Sequence, residues 1–409
     1  MYKVAGIDVH KRVLVVVVAD AAVEELQYEC RRFGTTTSEL HQLRQWLEER
    51  GVAEVVMEST AQYWKPVWMA LEPQFRLHLA QAHSNRAPRG RKHDFGDAQR
   101  LVRRLLAAEL MLSYVPDPEQ RAWRTMTRSK VQLVRDRVRL QNQIEALLEE
   151  TRIKLSSVVS DLLGVSGRRI LHGIASGETD PAKLAALGHE RLKCTPAQLQ
   201  DALSGSVQPP HRQLLELFLE RLELLDAHIG KINQSIAEGL RAHQEAVLRL
   251  AEVPGFGPDS AQQVIAEIGP RVLAFDSSAQ LASWVGVCPG RAESAGQNHS
   301  ARSAKGNPYL RRLLTQAAQA AVHKKGSRLH SLFHRLLPRL GYQKAIWAIA
   351  HRLCRLVWKI LHDQVRFVES GEIQNPQNQK RRVQKMLQAF KNLGYSVQLT
   401  PLPLSGVTS

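Results

Sequence analysis

A chain of 409 residues, 44% of them hydrophobic, is long enough for two or three domains, each with a sizeable core. Its 56 lysines and arginines against 39 acidic residues give a net charge of +17 and a pI near 10, which argues against a selective site for a small acidic ligand and for a polyanion as partner. Four scattered cysteines (Cys30, Cys194, Cys288, Cys354) exclude a disulfide framework or a zinc ribbon, no signal-peptide pattern opens the chain, and the longest apolar run, Val13 to Ala19, is too short to span a bilayer, so a cytoplasmic protein is expected.

The first 115 residues predict an α/β domain. Lys3 to Ile7 reads as a buried strand ending at Asp8. Val13 to Val18 is a second, β-branched and almost continuously apolar, as a central strand is. Glu24 to Phe33 is a third. Thr36 and Glu39 have capping-box spacing before a helix carrying Leu40, Leu43, Trp46 and Leu47. Glu54 to Met57 is a fourth strand ending at Glu58, followed by a helix with Trp64, Trp68 and Leu71. Arg76 to Ala80 is a fifth strand, and Asp94 and Asp97 begin a helix with Leu101 and Leu105. The order βββαβαβα is that of an RNase H-like sheet. Acids at strand ends converge at one sheet edge, and Asp94 and Asp97, spaced i, i+3, share a helix face. Four such carboxylates repel one another unless cations lie between them. Mg²⁺ or Mn²⁺ suits these hard oxygen ligands, and two ions clamp the attacking and leaving oxygens of a phosphodiester. Singly, an Asp after a strand is usually a turn residue, and Asp94 also reads as an N-cap.

Residues 116–250 form a coiled-coil and linker region. A long helix is expected from Glu119 to about Lys154, with Met126, Leu133, Leu140 and Leu147 in heptad register. Arg121, Arg124, Arg128, Arg135 and Arg139 lie on one stripe without matching acids, which points to nucleic-acid backbone contact; the alternative is a solvated flank. After short broken helices, a cleaner seam runs through Leu215, Phe218, Leu222, Leu225, Ile229, Ile232 and Ile236 from about Pro210. A projecting coiled coil that assists oligomerisation is expected.

Residues 251–365 form a mainly helical domain. Val253-Pro254-Gly255-Phe256-Gly257-Pro258 reads as a helix-hairpin-helix element, in which Gly255 and Gly257 let backbone N–H groups approach a phosphate; an ordinary turn into a helix is the other reading. Ser294 sits among small residues, and Arg302, Lys305, Arg311 and Arg312 make the next segment cationic. Tyr342 to His362 is an amphipathic helix, and 366–409 a basic polar tail expected to be partly disordered.

The combination of Gly6-Ile7-Asp8-Val9-His10-Lys11, Met57-Glu58-Ser59-Thr60, Lys92-His93-Asp94-Phe95-Gly96-Asp97-Ala98, the Val253–Pro258 turn, Gly286-Val287-Cys288-Pro289 and Gly306-Asn307 with Leu310-Arg311 resembles the DEDD transposases of bridge-RNA-encoding insertion sequences, relatives of the Piv DNA invertases. The resemblance covers roughly residues 3–365. It implies a RuvC-like N-terminal domain, a coiled coil and a C-terminal transposase domain. It further implies Mg²⁺-dependent strand exchange between donor and target double-stranded DNA, guided by a structured bridge RNA. In that family a C-terminal serine attacks DNA and becomes covalently linked to it, and the acidic set completes the site between subunits of a tetramer. Asp8, Glu58, Asp94 and Asp97 match the acidic positions. The family has Ser-Gly after the Gly-x-x-Pro turn; here Ser294-Ala295-Gly296 displaces the glycine by one, and Ser294 keeps the spacing to Pro289, with Ser300 and Ser303 as alternatives. Two competing readings use the same residues: a metal-dependent junction-resolving nuclease with water as nucleophile, and a non-catalytic nucleic-acid-binding descendant.

Overall fold

The computed structural model describes residues 2–23, 25–59, 61–82, 94–189, 192–290, 292–294, 297–300 and 303–369, with a few isolated positions beyond; at Asp94, 292–294 and 297–300 it describes backbone alone. The chain divides into two compact units, Met1–Asp117 and Pro118–Ser409.

The N-terminal unit is built on β1 (Lys3–Val9), β2 (Val13–Asp20), β3 (Tyr28–Gly34), α1 (Thr37–Glu49), β4 (Val52–Glu58), α2 (Trp64–Leu71), β5 (Arg76–Ala80) and α3 (Asp94–Leu106). The five strands form one sheet in the order β3-β2-β1-β4-β5. β1–β2 and β2–β3 are antiparallel, whereas β1–β4 and β4–β5 are parallel. The central placement of β1 and β2 explains their unbroken apolar runs, since both faces are covered. On one face Ala5, Ile7, Val9, Val16, Val55 and Met57 pack with Leu43, Leu47, Trp68 and Leu71 of α1 and α2. On the other, Val4, Val17 and Ala19 pack with Ala98 and Val102 of α3. Gly6 permits that approach, because a Cβ there would lie 2.4 Å from the Ala98 carbonyl oxygen.

Two local expectations are corrected. β3 starts at Tyr28 rather than Glu24: Ala21 N–H bonds the Tyr2 carbonyl and Ala22 N–H the Asp20 carboxylate, so the residues after β2 are used in turning the chain. The capping box at Thr36 is not closed. Thr36 is the N-cap without a side-chain cap bond, its hydroxyl lies 3.2 Å from that of Ser38, and Glu39 accepts from Gly34 N–H at 3.0 Å.

In the C-terminal unit α4 (Pro118–Glu150) pairs antiparallel with α9 (Pro209–Gly239). Leu215, Leu222, Leu225 and Ile236 of the α9 seam are buried. Two breaks in the apolar row of α4 are ion-paired: Arg137 Nε lies 2.7 Å from Asp226 of α9, and Lys130 pairs with Asp259. Four short helices, α5 (Leu155–Val158), α6 (Val165–Ala175), α7 (Pro181–Ala186) and α8 (Pro196–Ala202), join the two long ones, and their apolar side chains share a core with the C-terminal end of α4 and the start of α9. The chain continues through α10 (Gln244–Ala251), α11 (Pro258–Ile268), α12 (Ser278–Val285), the hairpin β6 (Ala292–Ser294) and β7 (Gln297–Ser300), α13 (Pro308–Ala321) and α14 (Arg328–His362). α14 holds the expected helix from Tyr342 and a preceding segment, divided at Gly341, whose φ of 73° and ψ of 168° are not helical. No described helix is long and apolar enough to cross a membrane.

Candidate functional site

The parallel register of β1 and β4 pairs Ile7 with Met57, so the next residues, Asp8 and Glu58, stand side by side on adjacent strands, about 4.8 Å apart. Side chains alternate along a strand, and Ile7 and Met57 point into the α1/α2 core. Asp8 and Glu58 therefore face the side covered by α3. On that helix Leu101 packs on Val56 and Ala80, and Asp97 stands one turn earlier in the same row. Three of the four expected acids are thus on one face at one edge of the sheet. Asp94 opens the same helix, and its side chain lies outside the described residues.

Asp8 Oδ2 is 3.0 Å from His10 Nε2, and Asp97 Oδ1 is 2.9 Å from the Arg100 guanidinium. The donors at this edge are predominantly carboxylate oxygens without thiols, which suits a hard divalent cation rather than zinc. Among the described residues no three acidic, histidine or cysteine side chains are grouped so that they could hold a metal ion. In chemical type the set Asp8, Glu58, Asp94 and Asp97 fits Mg²⁺ or Mn²⁺.

In the C-terminal unit the Val253–Pro258 turn joins α10 to α11. Its two glycines do different things. Gly255 has φ +87°, and a Cβ there would lie 2.1 Å from the Ala317 carbonyl, so its missing side chain serves packing against α13. Gly257 is extended, caps α11, and faces open space where a Cβ would stand. Both glycines were expected to meet a phosphate through their backbone; the structure gives Gly255 a packing role against α13 and leaves the Cβ side of Gly257 open.

Ser294 is the last residue of β6 and pairs with Gln297 across the hairpin end. The segment carrying it is clamped where it leaves and rejoins the helical base. Gly286 is left-handed (φ +78°) and ends α12, and a Cβ on Gly306 would lie 2.1 Å from the Val285 carbonyl. Asn307 then caps α13, its Oδ1 accepting from Tyr309 and Leu310 N–H at 3.0 and 3.1 Å. Ser300 ends β7, and the Ser303 hydroxyl accepts from Trp347 Nε1 at 2.9 Å, a structural engagement. Arg302 lies outside the described residues. Lys305 is exposed. Arg311 bonds the Ala304 carbonyl at 2.7 Å and sits over the Trp347 ring, and Arg312 bonds Gln263 at 3.2 Å. Burial, then Arg135, holds the Arg312 guanidinium below its ordinary pKa.

The arginine stripe of α4 is corrected in part. Arg128 gives a two-armed bond to Glu267 of α11 at 2.7 and 2.8 Å, and Arg124 donates to the Glu267 backbone carbonyl. The matching acid is absent from the stripe because it lies on another helix. Arg124 and Arg128 are internal ties, and Arg139 pairs with Asp136 at 2.8 Å. Glu267 itself, 2% exposed, also accepts from Asn307 Nδ2 at 2.7 Å. Sequence reasoning passed over it; an acid in the apolar row of an otherwise amphipathic helix was the signal.

Comparison with known proteins joins the two halves. Residues 5–153 match a family model named DEDD_Tnp_IS110 and described as Transposase. Residues 247–334 match the model described as Transposase IS116/IS110/IS902 family. A "Probable family 20 transposase" of Pseudomonas aeruginosa is 27% identical over 370 residues, 88% of this chain and 94% of its own length. The "Transposase for insertion sequence element IS1111A" of Coxiella burnetii is 24% identical over 317 residues, 76% of this chain and 78% of its own. The class is that of a DNA-acting enzyme. Both matches and the relatives support an insertion-sequence transposase of the IS110/IS116 family.

Proposed function

We propose that the protein is an RNA-guided strand-exchange transposase in which the Ser294 hydroxyl attacks a DNA phosphodiester and a RuvC-like acidic edge serves the same phosphate. The observation that carries the reading is the placement of Asp8 beside Glu58 on parallel neighbours, facing the helix that bears Asp97. Asp8, Glu58, Asp94 and Asp97 would hold Mg²⁺ or Mn²⁺. When bound, the ion neutralises the phosphate and stabilises the leaving oxygen.

Attack forms a bond from Ser294 Oγ to phosphorus and breaks one bridging P–O bond. The serine loses its proton and the leaving oxygen gains one. The phosphoserine ester keeps the phosphodiester linkage intact in energy, so a hydroxyl of a second strand can attack it, rebuild the DNA backbone and return the serine. The glycine clamps at Gly286 and Gly306 fix where the hairpin leaves the helical base, which favours a constant attacking geometry. The resemblance to bridge-RNA transposases adds the guide RNA, donor and target DNA, and a tetramer in which the acidic edge of one subunit serves the serine of another.

Phosphate-directed contacts carry little base information, so site choice falls to pairing with the guide. Replacing the guide's pairing segments is expected to redirect recombination to the matching site. Unchanged site choice would refute guidance. A second reading, hydrolysis by water, is favoured by one feature: Asp8, Glu58, Asp94 and Asp97 all belong to the N-terminal unit, and that chemistry needs no serine.

A further inference from the structure

A charged groove in the C-terminal unit is not used by the reading above. It has a volume of about 410 Å³ and lies between the two parts of α14, the start of α12 and the segment after α14. Arg328 and Arg335 come from the first part of α14, and Arg352, Arg355 and Lys359 from the second. The last three are spaced i, i+3, i+7, hence on one helix face. All five are exposed, and none makes an ion pair among the described residues. Arg355 Nε donates to Ser278 Oγ at 3.2 Å. Leu329, Leu332 and Leu356 give the groove an apolar floor.

Against five cations stand two carboxylates, Asp363 and Glu369. Asp363 is engaged by His362 at 2.9 Å. Glu369 lies on a strap held at Glu252, which accepts from Phe367 N–H at 3.2 Å and pairs with Arg366 at 3.6 Å. The strap delivers the Glu369 carboxylate to the first turn of α14, where it accepts from Arg328 N–H at 3.1 Å. A carboxylate that accepts from a first-turn helix N–H and lies in a groove lined by five cations occupies the kind of position a phosphate takes. The neighbouring His351 has its imidazole held below the ordinary histidine range by burial first, and then by Arg355 and Arg352.

We propose that this groove binds a nucleic-acid phosphodiester backbone, and that Glu369 takes the place of a phosphate until the strand displaces it. The proposal rests on the DNA-acting reading and extends it to a second contact surface. Uncompensated guanidinium and ammonium groups on a single face suit a repeated anion better than a single small one. The backbone of DNA and of RNA offers the same chemistry.

The test uses the full chain and fluorescence anisotropy with labelled duplex DNA, single-stranded DNA and single-stranded RNA, over about 50 to 200 mM salt. Arg352→Gln/Arg355→Gln/Lys359→Gln is compared with Arg221→Gln/Lys231→Gln/Arg241→Gln, which removes as many charges elsewhere. The groove variant is expected to lose about tenfold or more in affinity and to flatten the salt slope by about 2, while the control variant changes far less. Glu369→Gln is expected to tighten binding about threefold, because one competing anion is gone. Whichever probe loses most identifies the strand. Equal slopes in groove and control variants, with wild type binding normally, would overturn the groove alone. Wild type that bound none of the three probes would overturn the DNA-acting reading with it. A groove variant that lost binding to polyglutamate but to no nucleic acid would assign the surface to an acidic protein and also overturn the proposal.

Discussion

The carboxylate of Glu267 takes both arms of the Arg128 guanidinium, at 2.7 and 2.8 Å, across two helices 139 residues apart in sequence. It also holds Asn307, which caps the helix following the serine hairpin. Removing it takes away the carboxylate that the Arg128 guanidinium and the Asn307 amide share. Glu267→Ala is expected to cost about 3 kcal/mol, at the low end for a broken buried pair because Arg128 is partly exposed. Urea denaturation measures this, and a loss below about 1 kcal/mol would show that the contact contributes little.

The clamp around the hairpin gives a second expectation. Gly306→Ala and Gly255→Ala each place a Cβ about 2 Å from a backbone carbonyl, and Gly255 also has a positive φ. Both are expected to destabilise by about 2 kcal/mol or more. Gly257→Ala meets open space and is expected to stay within about 0.5 kcal/mol of wild type. Thermal melting of the three side by side decides it; equal losses would mean that the close approaches do not matter.

His351 sets a pH dependence. Its folded pKa lies below the ordinary histidine value, chiefly through burial and then through Arg355 and Arg352. The unfolded chain therefore takes up the proton first as pH falls. Stability is unaffected above the unfolded pKa, falls as pH drops below about 6.5, and levels once the folded form also protonates. His351→Gln is expected to reduce this acid-side loss, measured as the difference in melting temperature between about pH 7.5 and pH 5. An unchanged difference would exclude His351 as its source.

The strand sequence of the N-terminal unit was legible because each element carried its own signal: β-branched runs for β1, β2 and β4, and a leucine–tryptophan face for α1. The acids followed, since strand-end positions such as Asp8 and Glu58 need only the strand order to be placed together. Partnership between distant helices was not legible. Arg124 and Arg128 read as a free basic stripe because Glu267 sits far downstream, and periodicity along α4 carries no information about α11. The packing demand on Gly255 was hidden for the same reason: the Ala317 backbone that leaves no room for a Cβ belongs to another helix. Lys130 and Arg137, which interrupt the apolar row of α4, are likewise answered from other helices, by Asp259 and Asp226.

The acidic edge is expected to be dispensable for folding and required for chemistry. Asp8 and Glu58 are partly exposed at the sheet edge, so Asp8→Asn and Glu58→Gln should melt within a few degrees of wild type. Both should lose DNA cleavage by at least about a hundredfold, as removal of Mg²⁺ with a chelator should. Full cleavage activity in either variant would remove that residue from the site.

The most direct measurement is denaturing electrophoresis of the protein incubated with Mg²⁺, its guide RNA and labelled donor and target DNA, with wild type, Ser294→Ala and Asp8→Ala side by side. A denaturant-resistant protein–DNA adduct in wild type, absent from both variants, is the predicted result. Cleavage without an adduct, surviving Ser294→Ala and lost in Asp8→Ala, would contradict the serine mechanism and establish water as the nucleophile.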